Sequence, residues 1–370
     1  MRMQTTIADS GTALTTIIPV KQTANDLDYL AARLHARRSR MAEAQRLDEL
    51  CRIRSLPEFF RAIFPDFEFK GVLDFQRQLV YEFVGEISGF HAYVPGPGAD
   101  LLDWTLVRFQ MENLKILFRA CLTRTPIEEI YGHLILIPRE LILNIQKMAA
   151  AESPEDFVRW VPKGFLQKSL GKALEFYRNY PRPFFFEAAL DQVYFQGLVA
   201  RMEKLLQEDR EMVRPMIYQE VDIFHLMLVA RGKFHYNLTP EMLLPFHIAG
   251  TRIRLTLFAA MLYDPDIYTS VDRVAERLLN IVSFKRGSND ELMAVDASAL
   301  ESLAWKQFFR LSNQAFRLSH IGLGAIIGYV GLRRVEMANL ITISEGIHSG
   351  MAAEEIRRRL IPRTNVEVTT

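Results

Sequence analysis

One polar signature recurs three times along this chain, and its spacing limits the fold more than any other feature. The first copy runs Gln110-Met111-Glu112-Asn113, then Arg119, Thr125-Pro126 with Glu128, and Ile137-Pro138. The second has Asp222, His225, Arg231, Thr239-Pro240-Glu241 and Ile248. The third has Glu336, Asn339, Glu345, Glu354-Glu355 and Ile361-Pro362. The central residues Asn113, His225 and Asn339 stand 112 and 114 residues apart. A fainter match, Ser55-Leu56-Pro57-Glu58-Phe59 against Ser153-Pro154-Glu155-Asp156-Phe157, precedes the first two copies. Amphipathic hairpins alone would show capped starts and spaced polar residues. They would not repeat them at so long an interval, which far exceeds a TPR or HEAT unit. The expectation is three large related units, 25–138, 139–250 and 251–370, after an arm at 1–24.

Each copy reads as helix, turn and second helix. Leu27, Leu30, Ala31 and Leu34 make an apolar stripe at helical spacing. Ser55-Leu56-Pro57-Glu58 and Thr125-Pro126-Ile127-Glu128 fit capping boxes. Ser153-Pro154-Glu155 and Thr239-Pro240-Glu241 put a cap, a first-turn Pro and an acid where a helix start favours them. Alternation of period two is rare, so the fold class is all-α. Gly324 and Gly328 fit a small-x-x-x-small contact between two close helices, and the Phe184-Phe185-Phe186 run fits a core.

Composition removes several function classes. The 370 residues carry 45 basic and 44 acidic side chains. That balance gives no excess cation with which to displace the counterions of a nucleic acid. Two cysteines, Cys51 and Cys121, exclude a disulfide framework and a four-cysteine zinc site. The most apolar stretch, Leu318 to Leu332, is too short and Gly-rich for the roughly 20 apolar residues of a membrane span. Residues 1–24 lack the blocks of a secretory signal and read as a partly disordered arm.

Candidate chemistry is thin. Gly164 to Lys172 has the wrong loop length for a P-loop and no following Ser or Thr. Gly322, Gly324 and Gly328 form a loosened dinucleotide pattern after a helix, where a strand is required. Asp222/His225 and Glu345/His348 have the acid-x-x-His spacing of di-iron bundles, with Glu187 and Asp191 as further carboxylates. The repeat alignment opposes that reading, because Asp222 matches Glu336 and His225 matches Asn339. The pairs Asp222/His225 and Glu336/Asn339 each lie on one helix face. Such a face serves either as part of a polar socket for a partner or as a tie between neighbouring helices. Arg37-Arg38-Ser39-Arg40 and Arg357-Arg358-Arg359 read as solvated faces, or as contacts to anionic lipid or acidic loops.

Taken in order, these motifs resemble the C (also called d) subunit of V-type and A-type rotary ATPases. The resemblance rests on the acid-x-x-Asn-x(5)-Arg helix with an acidic second helix, on Tyr29 to Arg37, and on Glu187 to Phe195. Arg333, Glu336 and Asn339 match the closing helix, and the likeness spans Asp26 to Pro362. The chain departs from the pattern at Gln110, at His225 for Asn, and at Glu345 for Arg. The resemblance implies three helical repeats in a funnel about a pseudo-threefold axis. It implies a non-catalytic spacer that transmits torque between the central stalk subunits and the membrane proteolipid ring, coupled to proton or sodium transport. It also implies a cytoplasmic, peripheral position, with no cofactor or metal. The expected partner-binding residues are Asn113, Arg119, Asp222, His225, Arg231, Glu336 and Asn339. The alternatives are a helical scaffold unrelated to rotary motors and a ferritin-like di-metal carboxylate enzyme.

Overall fold

The computed structural model describes residues 24–135, 143–264, 267–279, 297–319 and 322–361. The arm at 1–23, and Ile137, Pro138, His320 and Pro362, lie outside them. Among the described residues every regular element is a helix. The long ones form three pairs: Val72–Ser88 with Pro97–Thr123, Phe184–Met202 with Gln207–Val229, and Ala297–Leu318 with Leu323–His348. Connections in the last two pairs are only a few residues long, which makes the partners antiparallel neighbours.

Local sequence explains the pairs. In Val72–Ser88 the residues Phe75, Leu79, Phe83 and Ile87 recur every fourth position and are all buried. Phe184–Met202 opens on three consecutive buried phenylalanines, so the aromatic run is core, as its sequence suggests. The weak Ser-Pro-Glu match is a working cap at its second occurrence, where Ser153 Oγ accepts from Asp156 N at 3.2 Å. Ser55 also precedes a helix, Leu56–Ile63, but its side chain makes no cap.

The pairs pack as a closed ring. Phe184–Met202 lies on Pro97–Thr123, and Ala297–Leu318 lies on Gln207–Val229. Val72–Ser88 lies on Leu323–His348, which returns the third pair to the first. At every seam the first helix of one pair covers the second helix of the pair before it. Two close contacts need glycine. A Cβ on Gly197 would sit 2.1 Å from the Trp104 ring, whose Nε1 donates to Tyr194 O at 2.8 Å. A Cβ on Gly328 would fall 2.5 Å from Phe316 N and 2.7 Å from Ser312 O. Backbone cannot swing aside as a side chain can. Gly328→Ala is therefore expected to cost about 1–3 kcal/mol by overpacking, read as a lower urea midpoint with helix content kept. An unchanged midpoint would mean that the two helices are not in contact there.

A smaller core lies beside the ring, where Phe59, Phe60 and Phe75 pack with Ile343 and Ile356. No helix among the described residues is long and apolar enough to cross a membrane.

Candidate site where the second helices meet

The central residue of each copy holds a piece of backbone. Asn113 Nδ2 donates to Ile135 O at 2.7 Å, and its Oδ1 accepts from Ile135 N at 2.8 Å. Asn339 does the same to Ile361: Oδ1 accepts from the N–H at 2.7 Å and Nδ2 donates to the carbonyl. His225 Nε2 accepts from Ile248 N at 2.9 Å. An amide offers a donor and an acceptor side by side, so it satisfies both polar groups of one residue. A neutral imidazole nitrogen satisfies only the N–H, and His225 Nδ1 is left without a partner. The held residue lies 22 positions downstream of each Asn and 23 downstream of His225, whose side chain is the longer. In the first copy it is Ile135, two residues before the Ile137 marked by the sequence pattern. Asn339→Ala would leave a buried N–H and C=O unpaired. It is expected to cost about 1–3 kcal/mol in urea unfolding, and Asn113→Ala a similar amount. A loss within error of zero at both positions would remove the pins from the stability account.

Three residues before the pin, the polar side chains also turn inward. Asp222 is fully buried, with Oδ1 accepting from Ile253 N at 3.3 Å and Oδ2 from Arg252 Nε at 2.5 Å. Burial pushes its carboxyl up, against the pull of Arg252. Glu336 Oε1 accepts from Ala42 N at 2.5 Å, and Arg333 bonds its other oxygen. Burial, and then the neighbouring His247, lowers His225 to about 3.

Five residues before the pin stand Arg108, Glu220 and Arg334, and these three meet. Arg334 donates Nη1 and Nη2 to the two Glu220 oxygens, each at 2.8 Å. Arg108 Nη1 reaches Glu220 Oε2 at 3.1 Å. Burial alone would raise the Glu220 carboxyl, but Arg334 and Arg108 hold it below its usual range. The triad borders a cavity of about 290 Å³ walled by Phe195, Phe224, Met227, Trp305 and Phe308. On one side Lys115 bridges Asp191 at 2.6 Å and Glu112 at 3.0 Å.

Six residues after the pin, each seam carries a polar clasp. Arg119 grips Glu187 through Nε at 2.8 Å and Nη2 at 2.6 Å. Arg231 lies 3.6 Å from Glu301, and Glu345 accepts from Gln76 Nε2 at 2.7 Å. Of the seven residues singled out in the sequence, Asn113, Asp222, His225, Glu336 and Asn339 are therefore buried. Arg119 and Arg231 stay at the surface, 59% and 55% exposed. The triad escaped the sequence reading, although its signal was available as three charged residues at one offset in the three aligned copies.

The candidate di-metal residues do not come together. Asp222 pairs with Arg252, His225 holds Ile248, Glu345 sits on a seam, and Glu187 pairs with Arg119. Among the described residues no three His, Cys, Asp or Glu side chains gather as a metal site. The central charges are paired within the chain, an arrangement that ties helices together.

Comparison with known proteins identifies the family. A family model described as ATP synthase (C/AC39) subunit matches residues 30–359. The C subunit of the A-type ATP synthase of Methanobrevibacter smithii is 23% identical over 348 residues, covering 90% of this chain and 87% of its own length. Its counterpart in Methanosphaera stadtmanae has the same identity and coverage. The counterpart in Methanocaldococcus jannaschii is 20% identical over 351 residues, covering 90% and 86%. With its family model running almost from end to end of the described helices, the chain belongs to the ATP synthase (C/AC39) subunit family.

Proposed function

We propose that this chain is the non-catalytic spacer of a rotary ATPase. It joins the central stalk to the membrane proteolipid ring and passes torque between them while ATP turnover is coupled to proton or sodium movement. The observation that carries the reading is the closed ring of three helix pairs with equal-offset residues meeting at its centre. On this reading 25–138, 139–250 and 251–370 form three units of a funnel about a pseudo-threefold axis. A coupling element has to resist twist, and close-packed interiors transmit strain. Seams clasped by charge and helices pinned by buried amides add shear resistance to that packing. The cavity end takes the stalk, and the opposite end rests on the ring at the cytoplasmic face. On the same reading Arg119 and Arg231, the two exposed residues of the seven, touch the stalk directly. Asn113, Asp222, His225, Glu336 and Asn339 act by holding the body rigid.

The test is reconstitution. Rotary complexes from the same source, stripped of this chain, are expected to hydrolyse ATP without moving ions across vesicles. Adding the purified chain is expected to restore transport. Full transport in its absence would contradict the proposal.

A further inference from the structure

We infer that the third seam marks the rotational register of the docked stalk: Glu345 faces a Lys or Arg side chain of the stalk. This rests on the stalk reading above. A cup of three like units offers an inserted stalk three like orientations, whereas torque transfer without slip needs one. The interior does not supply a strong mark, because its charges cancel. Arg108 and Arg334 flank Glu220, and Lys115 lies between Glu112 and Asp191.

The clasps do differ. At the first two seams an arginine follows the pin and meets a glutamate, as Arg119–Glu187 and Arg231–Glu301. At the third, the position of the arginine is taken by Glu345, and that of the glutamate by Gln76. Glu345 is exposed and makes no ion pair with a described residue. One neutral donor leaves a carboxylate able to accept a further cation, including a forked arginine. A stalk cation seated at Glu345 is attracted. After a one-third turn in either direction the same cation meets a paired arginine and glutamate, Arg119–Glu187 or Arg231–Glu301, whose charges balance. Selection then comes from an attraction that those two seams do not offer.

The experiment uses the full chain and the central stalk subunits of its own complex, with one spin label on each partner. Gln76→Glu combined with Glu345→Arg makes the third seam like the other two. The wild type is expected to give one label-to-label distance. The double variant is expected to give at least two, with an unfolding midpoint at the wild-type value because the clasp is rebuilt. Glu345→Gln, a change that spares the fold, is expected to weaken stalk binding about two- to fivefold at low salt, the range of a rim charge, and to flatten its salt dependence. A single unchanged distance in the double variant, with unchanged affinity in Glu345→Gln, would overturn the inference. Failure of the wild type to bind the stalk would overturn the stalk reading itself, and the register with it.

Discussion

Glu220→Gln is expected to lower the unfolding free energy by about 3–5 kcal/mol, the cost of removing one partner from a buried ion pair. The substitution keeps the shape of the side chain and removes the one negative charge held between two arginines. Arg334 is 15% exposed and Arg108 36%, so most of the cost falls on Arg334, which cannot turn to water. Replacing all three residues together with apolar ones of similar volume, Arg108→Leu, Glu220→Met and Arg334→Met, removes the desolvation penalty along with the pair. That triple variant is expected to lie within about 1 kcal/mol of wild type or above it, as buried triads elsewhere do. Urea unfolding of both proteins checks the pair of outcomes. A loss under about 1 kcal/mol for Glu220→Gln would show that water reaches the junction and screens it.

The second large effect depends on pH. His225 binds Ile248 N through Nε2 and so must stay neutral for the pin to hold. Its folded value of about 3 lies below the ordinary 6.5, so below pH 6.5 the unfolded chain takes up a proton that the folded chain refuses. Stability is fully present above pH 6.5 and is lost as pH falls from there toward 3. Between pH 6.5 and 5 the expected loss is about 2 kcal/mol, since one proton taken up per pH unit carries about 1.4 kcal/mol. Other groups contribute as pH falls. Glu220, depressed by its arginines, loses stability in the same direction. Asp191 and Asp222, raised by burial, run the opposite way. His225→Gln keeps an acceptor at about the same reach and does not titrate. It is expected to flatten the pH 6.5–5 slope while holding Ile248. Denaturant midpoints at a few pH values distinguish the outcomes, and an equal slope in the variant would assign the acid sensitivity to another group.

The sequence made the helices legible because apolar residues recur at helical spacing through Val72–Ser88 and its partners. It made the three copies legible because a pin needs a particular side chain at a particular position. The target of the pin was harder to read. Asn113 holds Ile135, two residues short of the Ile137 that the repeated pattern marks, and no local motif announces that residue. The inward turn of Asp222 and Glu336 was hidden for a different reason. A polar residue on a helix face looks the same whether its partner is solvent, another protein or the N–H of Ala42, which is 294 residues distant in the Glu336 case. Glu187 is a candidate metal carboxylate on spacing alone, and only the packing of Phe184–Met202 on Pro97–Thr123 brings it to Arg119. The Gly328 contact was readable, since small residues four apart on a helix announce a close neighbour.

The most direct measurement is a pull-down of tagged chain from gently solubilised membranes of its own source, with mass spectrometry of what comes with it. The expected result is recovery of proteolipid ring and central stalk subunits in fixed proportion to the chain. Recovery of the chain without either would contradict its place in a rotary ATPase.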